Sequence, residues 1–524
     1  MLGLPRFVGN VGTVSHLFIA VRQFAIFCHR WMGVAFYLLF TWWFVSGVFM
    51  MYCDFPQVSD ADRLRHAQPL EASRIRISPE QAYKAIGLDI PPDEVHAAMF
   101  DGRPAYWFGA IPDQTIVYAD DGTIQDGYPS DLNLRTAAAW AGRPAAQARV
   151  EDISGPDQWT VGGQAGDQQH LFKYSWPDGQ QVYVSPSSGQ VMQYTTRWSR
   201  IGAYVGPVAH WLYFTPLRRN GARWSRIVIW ASGIGTLMAL SGLVVGVLVY
   251  SPSKRYRYLG EPASIPYSGT KRLHMIFGLF FGIVACTWAF SGMLSMDPFP
   301  SLAGRGGRGD AGRINRALRG EIELAPFSER LPAEALALVP PNIQVKELEL
   351  AAFVGDPVYL AHGTSSNDPA PQSWIVPVHG APKAMLESGH IVQAIRKGSA
   401  LSATVEVRTV TRYEAYYADR TRNRDGGRPL PVLYLRIANP TAAPDSGGGY
   451  YIDPRTARVV ARYSPDGWFN RWLYHGLHSL DFPWLYNYRP AWDIVVLLLL
   501  AGGTTLCVTS AILAWKLLQR KIGG

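Results

Sequence analysis

Four stretches of the chain run without charge for longer than a bilayer requires: Trp31 to Cys53, Ile227 to Ser253, Met275 to Met296 and Ile494 to Trp515. A spanning helix needs roughly 20 apolar residues, so each predicts a transmembrane helix rather than a buried strand, whose apolar runs are much shorter. Between them the pattern changes. Asp54 to Arg226 and Asp297 to Asp493 alternate apolar and polar positions, as in QQVYVSPSSGQVMQY and GGYYIDPRTARVVARY, each reading as a strand, a turn and a second strand. In ISPEQAYKAI, at 77–86, Ser78 precedes Glu80 and Gln81, the pattern of a capped helix start. The run GRGGRGDAG, 304–312, imitates a nucleotide loop, but no strand precedes it and it predicts a linker.

These patterns divide the chain into a tail (1–23), a first span (24–53), an insert (54–225) ending in a histidine-bearing segment, and a second span (226–253). A loop (254–272), a third span (273–296), a second such insert (297–493), a fourth span (494–516) and a short tail (517–524) follow. Composition agrees: charged residues are 17% of the 524, well under the roughly 25% of soluble domains. The net charge of +9 gathers at span ends, with Arg22 and Arg30 before the first, Lys254, Arg255, Arg257, Lys271 and Arg272 between the second and third, and Lys516, Arg520 and Lys521 after the fourth. Positive-inside topology then makes the protein multi-pass with both termini cytoplasmic. Arg218, Arg219, Arg223 and Arg226 oppose that topology and are outvoted by three clusters. Basic residues that track a membrane argue against nucleic acid. The first span, lacking a small-residue cleavage site, reads as a retained anchor. Cys28, Cys53, Cys286 and Cys507 form no C-x-x-C motif, which removes c-type haem attachment and zinc ribbons.

The chain is written twice. His29 over His274 aligns Gly33 with Gly278, Trp43 with Trp288, and Ser46 and Gly47 with Ser291 and Gly292, without a gap. His210 over His478 aligns Leu212 with Leu480, Phe214 with Phe482, Trp224 with Trp492, Gly235 with Gly503 and Ser241 with Thr509, and also Tyr183 with Tyr451. Two halves in the same orientation predict a four-helix transmembrane bundle built from a parallel internal repeat, with two α+β inserts outside. Symmetry sets His29 opposite His274 near the cytoplasmic boundary and His210 opposite His478 near the outer one.

A lone histidine at a membrane boundary is ordinarily an interfacial hydrogen bonder. Two symmetric pairs suit something else: a six-coordinate haem iron takes one imidazole from each side. Zinc or copper would want further ligands, and no carboxylate or Cys recurs in both halves at these depths. Arg30 and Arg272, besides their topological role, and on the outer side Arg219 are candidates for haem propionates. His475 shares a helical face with His478, and repeat register favours His478 because Pro207 stands where His475 would match.

FCHRWMGVAFYLLFTWWFVSG, VAHWLYFTPLR, LHMIFGLFFGIVACTWAFSG and WLYHGLHSLDFPWLY resemble the PepSY-associated transmembrane family of bacterial inner-membrane proteins, and YVSPSSGQV and YIDPRTARV resemble the ends of PepSY modules. The resemblance covers all four spans. It implies an inner-membrane protein with two periplasmic PepSY-like inserts. It also implies two haems b between His29 and His274 and between His210 and His478, as in relatives that reduce siderophore iron. The chain would then be a haem-dependent membrane oxidoreductase taking electrons from a quinol or a flavoprotein and giving them to a periplasmic acceptor such as a ferric siderophore. The same resemblance allows a non-enzymatic reading, a membrane-tethered regulator of a periplasmic protease or of assembly, in which the histidines are mere hydrogen bonders.

Overall fold

The structure is a computed structural model. It describes residues 11–522 apart from 89, 111–113, 168–169, 300–307, 366–367, 399–403, 420–426, 439–448 and 464–466. The chain divides into a membrane unit (1–54, 202–301 and 469–524) and an insert unit (55–201 and 302–468).

Among the described residues of the membrane unit, four helices are long and apolar enough to cross a bilayer: Ala20–Met50, Gly221–Val249, Gly269–Leu294 and Ala491–Ile522. All four begin before the uncharged stretches, and three end before them, at Met50, Val249 and Leu294, because helical hydrogen bonding and not charge sets where a helix starts and stops. The first helix starts at Val11, inside the region expected to be tail, and carries Arg22 along, a side chain long enough to reach a polar boundary. The second opens at Gly221, where the Asn220 side chain accepts from the Arg223 N–H. The fourth has Asp493 in its first turn and Arg520 and Lys521 in its last, charges that suit the helix dipole at each end. The first span packs on the second and fourth, and the third on the same two, so the first and third lie diagonally across the bundle. Phe40, Phe44, Met238, Ala285, Ala289, Trp492, Val496 and Leu500 form its interior. Phe24, Leu38, Trp230, Phe280 and Leu498 remain exposed, as lipid-facing positions must.

The histidine-bearing segments belong with the spans, not with the inserts as the sequence boundaries had them. Residues 204–208 and 470–476 are π-helical, and a side chain at Gly202 would strike the Cys53 sulfur, while one at Gly206 would press on Phe49. Close packing on the first span therefore claims the segment for the membrane unit. Residues matched by the sequence repeat take matching local forms. Leu212 and Leu480 both adopt left-handed φ, 53° and 51°. The Trp224 and Trp492 indoles donate to the carbonyls of Trp211 and Ser479.

The two inserts, separate in sequence, share a sheet. Its six antiparallel strands run in the order 368–377, 356–365, 343–353, 95–100, 103–108, 115–118, and the join is the pairing of Val95 with Leu350 through Ala98 with Glu347. Each insert adds a four-stranded sheet of its own, 149–195 in the first and 404–463 in the second. The two strand–turn–strand motifs sit there as expected, at 181–195 and 449–463, and each has a register shift beside its matched tyrosine, Tyr183 or Tyr451. Ser78 caps the helix Pro79–Ile86 through a capping box with Gln81. Of the expected linker, 304–307 lies outside the described residues and Arg308 opens a helix running to Leu318.

Candidate functional site

All four repeat-matched histidines lie in the membrane unit, and they meet in the expected pairs. The ring centroids of His29 and His274 are 6.2 Å apart, with planes inclined by 36°. Those of His210 and His478 are 6.0 Å apart, inclined by 69°. His478 rather than His475 opposes His210, while the His475 ring stands 4.4 Å from that of Tyr474.

Each imidazole is anchored through its backbone-facing side. His29 Nδ1 lies 3.2 Å from the Met238 carbonyl and His210 Nδ1 3.2 Å from the Trp43 carbonyl. The His274 ring bonds the Leu506 backbone and the His478 ring the Trp288 backbone, the positions that match Met238 and Trp43 in the repeat. A carbonyl can only accept, so Nδ1 carries the proton and Nε2 keeps its lone pair. Two imidazoles in that tautomer, facing at about 6 Å, are equipped to hold one metal between them. Bulk is trimmed around them. A Cβ on Gly242 would come within 2.5 Å of His29 Cε1, and those on Gly47 and Gly292 would lie 3.9 and 3.6 Å from His210 and His478 Cε1.

Of the arginines expected beside the pairs, Arg30 and Arg272 lie against aromatic rings. Arg30 is exposed, its guanidinium over the Phe27 and Trp31 rings. Arg272 lies 4.1 Å above the Tyr258 ring and donates to the Ile265 carbonyl. Arg219 is exposed, whereas its neighbour Arg218 turns onto the rings of Tyr213 and Trp224.

One feature of the site escaped sequence reasoning. Arg471 and Asp481, 3% and 0% exposed, form a buried ion pair at 3.4 Å, and a second guanidinium nitrogen donates to the Asp481 carbonyl at 2.6 Å. The pair closes the segment that presents His478. Its counterparts in the first half are Ala203 and Tyr213, so nothing in the repeat signalled it.

With this geometry stands a match of residues 27–307 to the family model of the PepSY-associated TM region. The chain belongs to that family. The matched region contains the first span from residue 27 onward, the second and third spans, and His29, His210 and His274, whereas His478 lies beyond it, where the internal repeat supplies the correspondence. No curated protein matches the chain. Membership makes this a membrane protein with β-rich inserts; it does not by itself choose a reaction.

Proposed function

We propose that the protein is a di-haem electron carrier of a bacterial inner membrane, with one b-type haem between His29 and His274 and a second between His210 and His478. The observation that carries this reading is the pair geometry. A metal–imidazole bond of about 2 Å, with the ring centre about 1 Å behind the nitrogen, sets two trans rings about 6 Å apart, and the two pairs stand at 6.2 and 6.0 Å. Among the described residues no three His, Cys, Asp or Glu side chains gather to hold an ion. A metal at either pair therefore brings its remaining ligands with it, as a porphyrin does.

Held by His29 with His274 and by His210 with His478, the haems would supply one-electron transfer. The residues around them fix the ligands and exclude water. From His29 to Ser46, which touches His210, the first span rises about 25 Å. The interior over that height is aromatic: the Phe40 and Trp43 centroids lie 5.6 Å apart, as do those of Phe44 and Trp288. These rings offer intermediate stations for an electron crossing the bundle. The halves relate as a parallel repeat about an axis along the membrane normal, with both termini cytoplasmic and the inserts periplasmic. Electrons from a quinol or flavoprotein would enter at the group held by His29 and His274 and would leave from the group held by His210 and His478 to an acceptor such as a ferric siderophore.

The test is a reduced-minus-oxidised optical spectrum of detergent-purified protein from haem-replete cells, followed by addition of a ferric chelate. We expect a b-type spectrum that is reoxidised by the chelate. A colourless protein would sink the proposal and leave the membrane-tethered regulator as the better reading.

A further inference from the structure

Each carbonyl that receives a histidine also receives a hydroxyl from three residues further along its own helix. Ser46 Oγ donates to the Trp43 carbonyl at 3.2 Å, Ser241 Oγ to that of Met238 at 2.7 Å, Ser291 Oγ to that of Trp288 at 3.2 Å and to that of Thr287, one residue earlier, at 2.7 Å, and Thr509 Oγ1 to that of Leu506 at 2.7 Å. Thus the same hydroxyl-and-carbonyl arrangement occurs on every span, one for each histidine, and at His274 the Ser510 hydroxyl adds a second, 2.9 Å from the Leu506 carbonyl and 3.4 Å from Nδ1. At three of the four the hydroxyl oxygen also meets the ring: Ser46 at 3.1 Å from His210 Nδ1, Ser291 at 3.0 Å from His478 Nδ1 and Thr509 at 3.2 Å from His274 Nδ1. At His29 the link runs through the shared carbonyl alone.

We propose that Ser46, Ser241, Ser291 and Thr509 are the positioning residues of the four ligand histidines, each completing a socket that takes the Nδ1–H of the histidine from the other span of its own half. Proton bookkeeping supports the assignment. A hydroxyl has one hydrogen, and here it goes to the helix carbonyl, so the oxygen faces Nδ1 as an acceptor. The ring is thereby held to the tautomer whose Nε2 is free, and an acceptor behind Nδ1 raises the basicity of that nitrogen toward a metal. Ser46 and Ser291 are 2% and 0% exposed, and Thr509 5%, so water cannot replace them. The exchange is reciprocal within a half: the first span holds His210 and the second holds His29, while the third holds His478 and the fourth His274. Each half thus orients its own two ligands before the halves meet.

This inference rests on the di-haem reading, and its test separates the two. Full-length protein carrying Ser46→Ala with Ser291→Ala, and separately Ser241→Ala with Thr509→Val, is titrated by optical spectroelectrochemistry and examined by electron paramagnetic resonance. Haem content is expected to hold near two per chain. The first double variant should displace the midpoint potential and resonance of only the haem removed by His478→Ala, and the second only those of the haem removed by His274→Ala. Ser46→Thr with Ser291→Thr, which keeps both hydroxyls, should restore the parent values, and the single alanine variants decide the matter if a double variant is unstable. Both haems titrating as in the parent, or both displaced equally, overturns the inference alone. Protein without haem overturns the di-haem reading and the inference with it.

Discussion

At the scale of single residues, the site depends on what is missing beside each imidazole as much as on the imidazole. Gly242 faces His29 so closely that a methyl group would lie 2.5 Å from Cε1, inside any van der Waals contact, and the ring would have to turn off its Met238 anchor. Gly33, also on the first span, has nothing within 4 Å of its Cβ position. We therefore expect Gly242→Ala to lower haem per chain from about two to about one while Gly33→Ala leaves it unchanged; equal haem in both variants would contradict this. The four histidines were legible because the repeat wrote each of them twice. Gly242 was not, since Ser510 stands at its matched position, and repetition marks only what the two halves share. The ion pair of Arg471 and Asp481 was hidden for the same reason. As a buried pair it is better evidence for a fixed geometry than for stability, because desolvation opposes its attraction.

At the scale of elements, the spans and hairpins followed from hydrophobic pattern, whereas the sheet that joins the inserts did not. Alternation shows which face of a strand is buried but not which distant strand lies beside it. The join places His96 of the first insert opposite Glu349 of the second. His96 bonds Glu347 at 2.8 Å and approaches Glu94 at 3.9 Å, while Glu349 meets Arg319, Arg458 and His362. Burial disfavours the charged His96, yet the hydrogen bonds to Glu347 and Glu94 outweigh it and push its pKa up to about 10. Burial likewise opposes charge on Glu349, and the His362 bond with the Arg319 and Arg458 charges overcomes it, holding the carboxyl well below its usual range. The signs differ. The His96 contribution is complete below its unfolded value of about 6.5 and is lost as pH rises through about 10. That of Glu349 is complete above its unfolded value of about 4.3 and is lost in acid. We expect His96→Gln to lower the unfolding temperature of the insert unit in the full-length protein by roughly a few degrees at pH 6, with the difference closing toward pH 10. A difference independent of pH would show that His96 acts only by its shape.

At the scale of the whole molecule, the family match establishes a membrane protein, and the paired imidazoles stand at two levels about 25 Å apart along one helix, as the proposed path for electrons requires. Much of this was readable beforehand: four spans, two inserts and two histidine pairs follow from run lengths and from a gapless repeat. Helix ends were misjudged because hydrogen bonding, not hydropathy, stops a helix, and the first histidine segment was misassigned because its packing on the first span depends on Gly202 and Gly206 meeting Cys53 and Phe49, while the second packs in the same way on the third span. The central claim is that each histidine pair holds one haem. Its most direct test is pyridine-haemochrome quantification of haem per chain in the parent protein, in His274→Ala, in His478→Ala and in the variant carrying both changes. We expect about two, one, one and none, with His475→Ala remaining at two. Retention of both haems in either single variant, or loss of both haems from one of them in a protein that still folds, would contradict the claim.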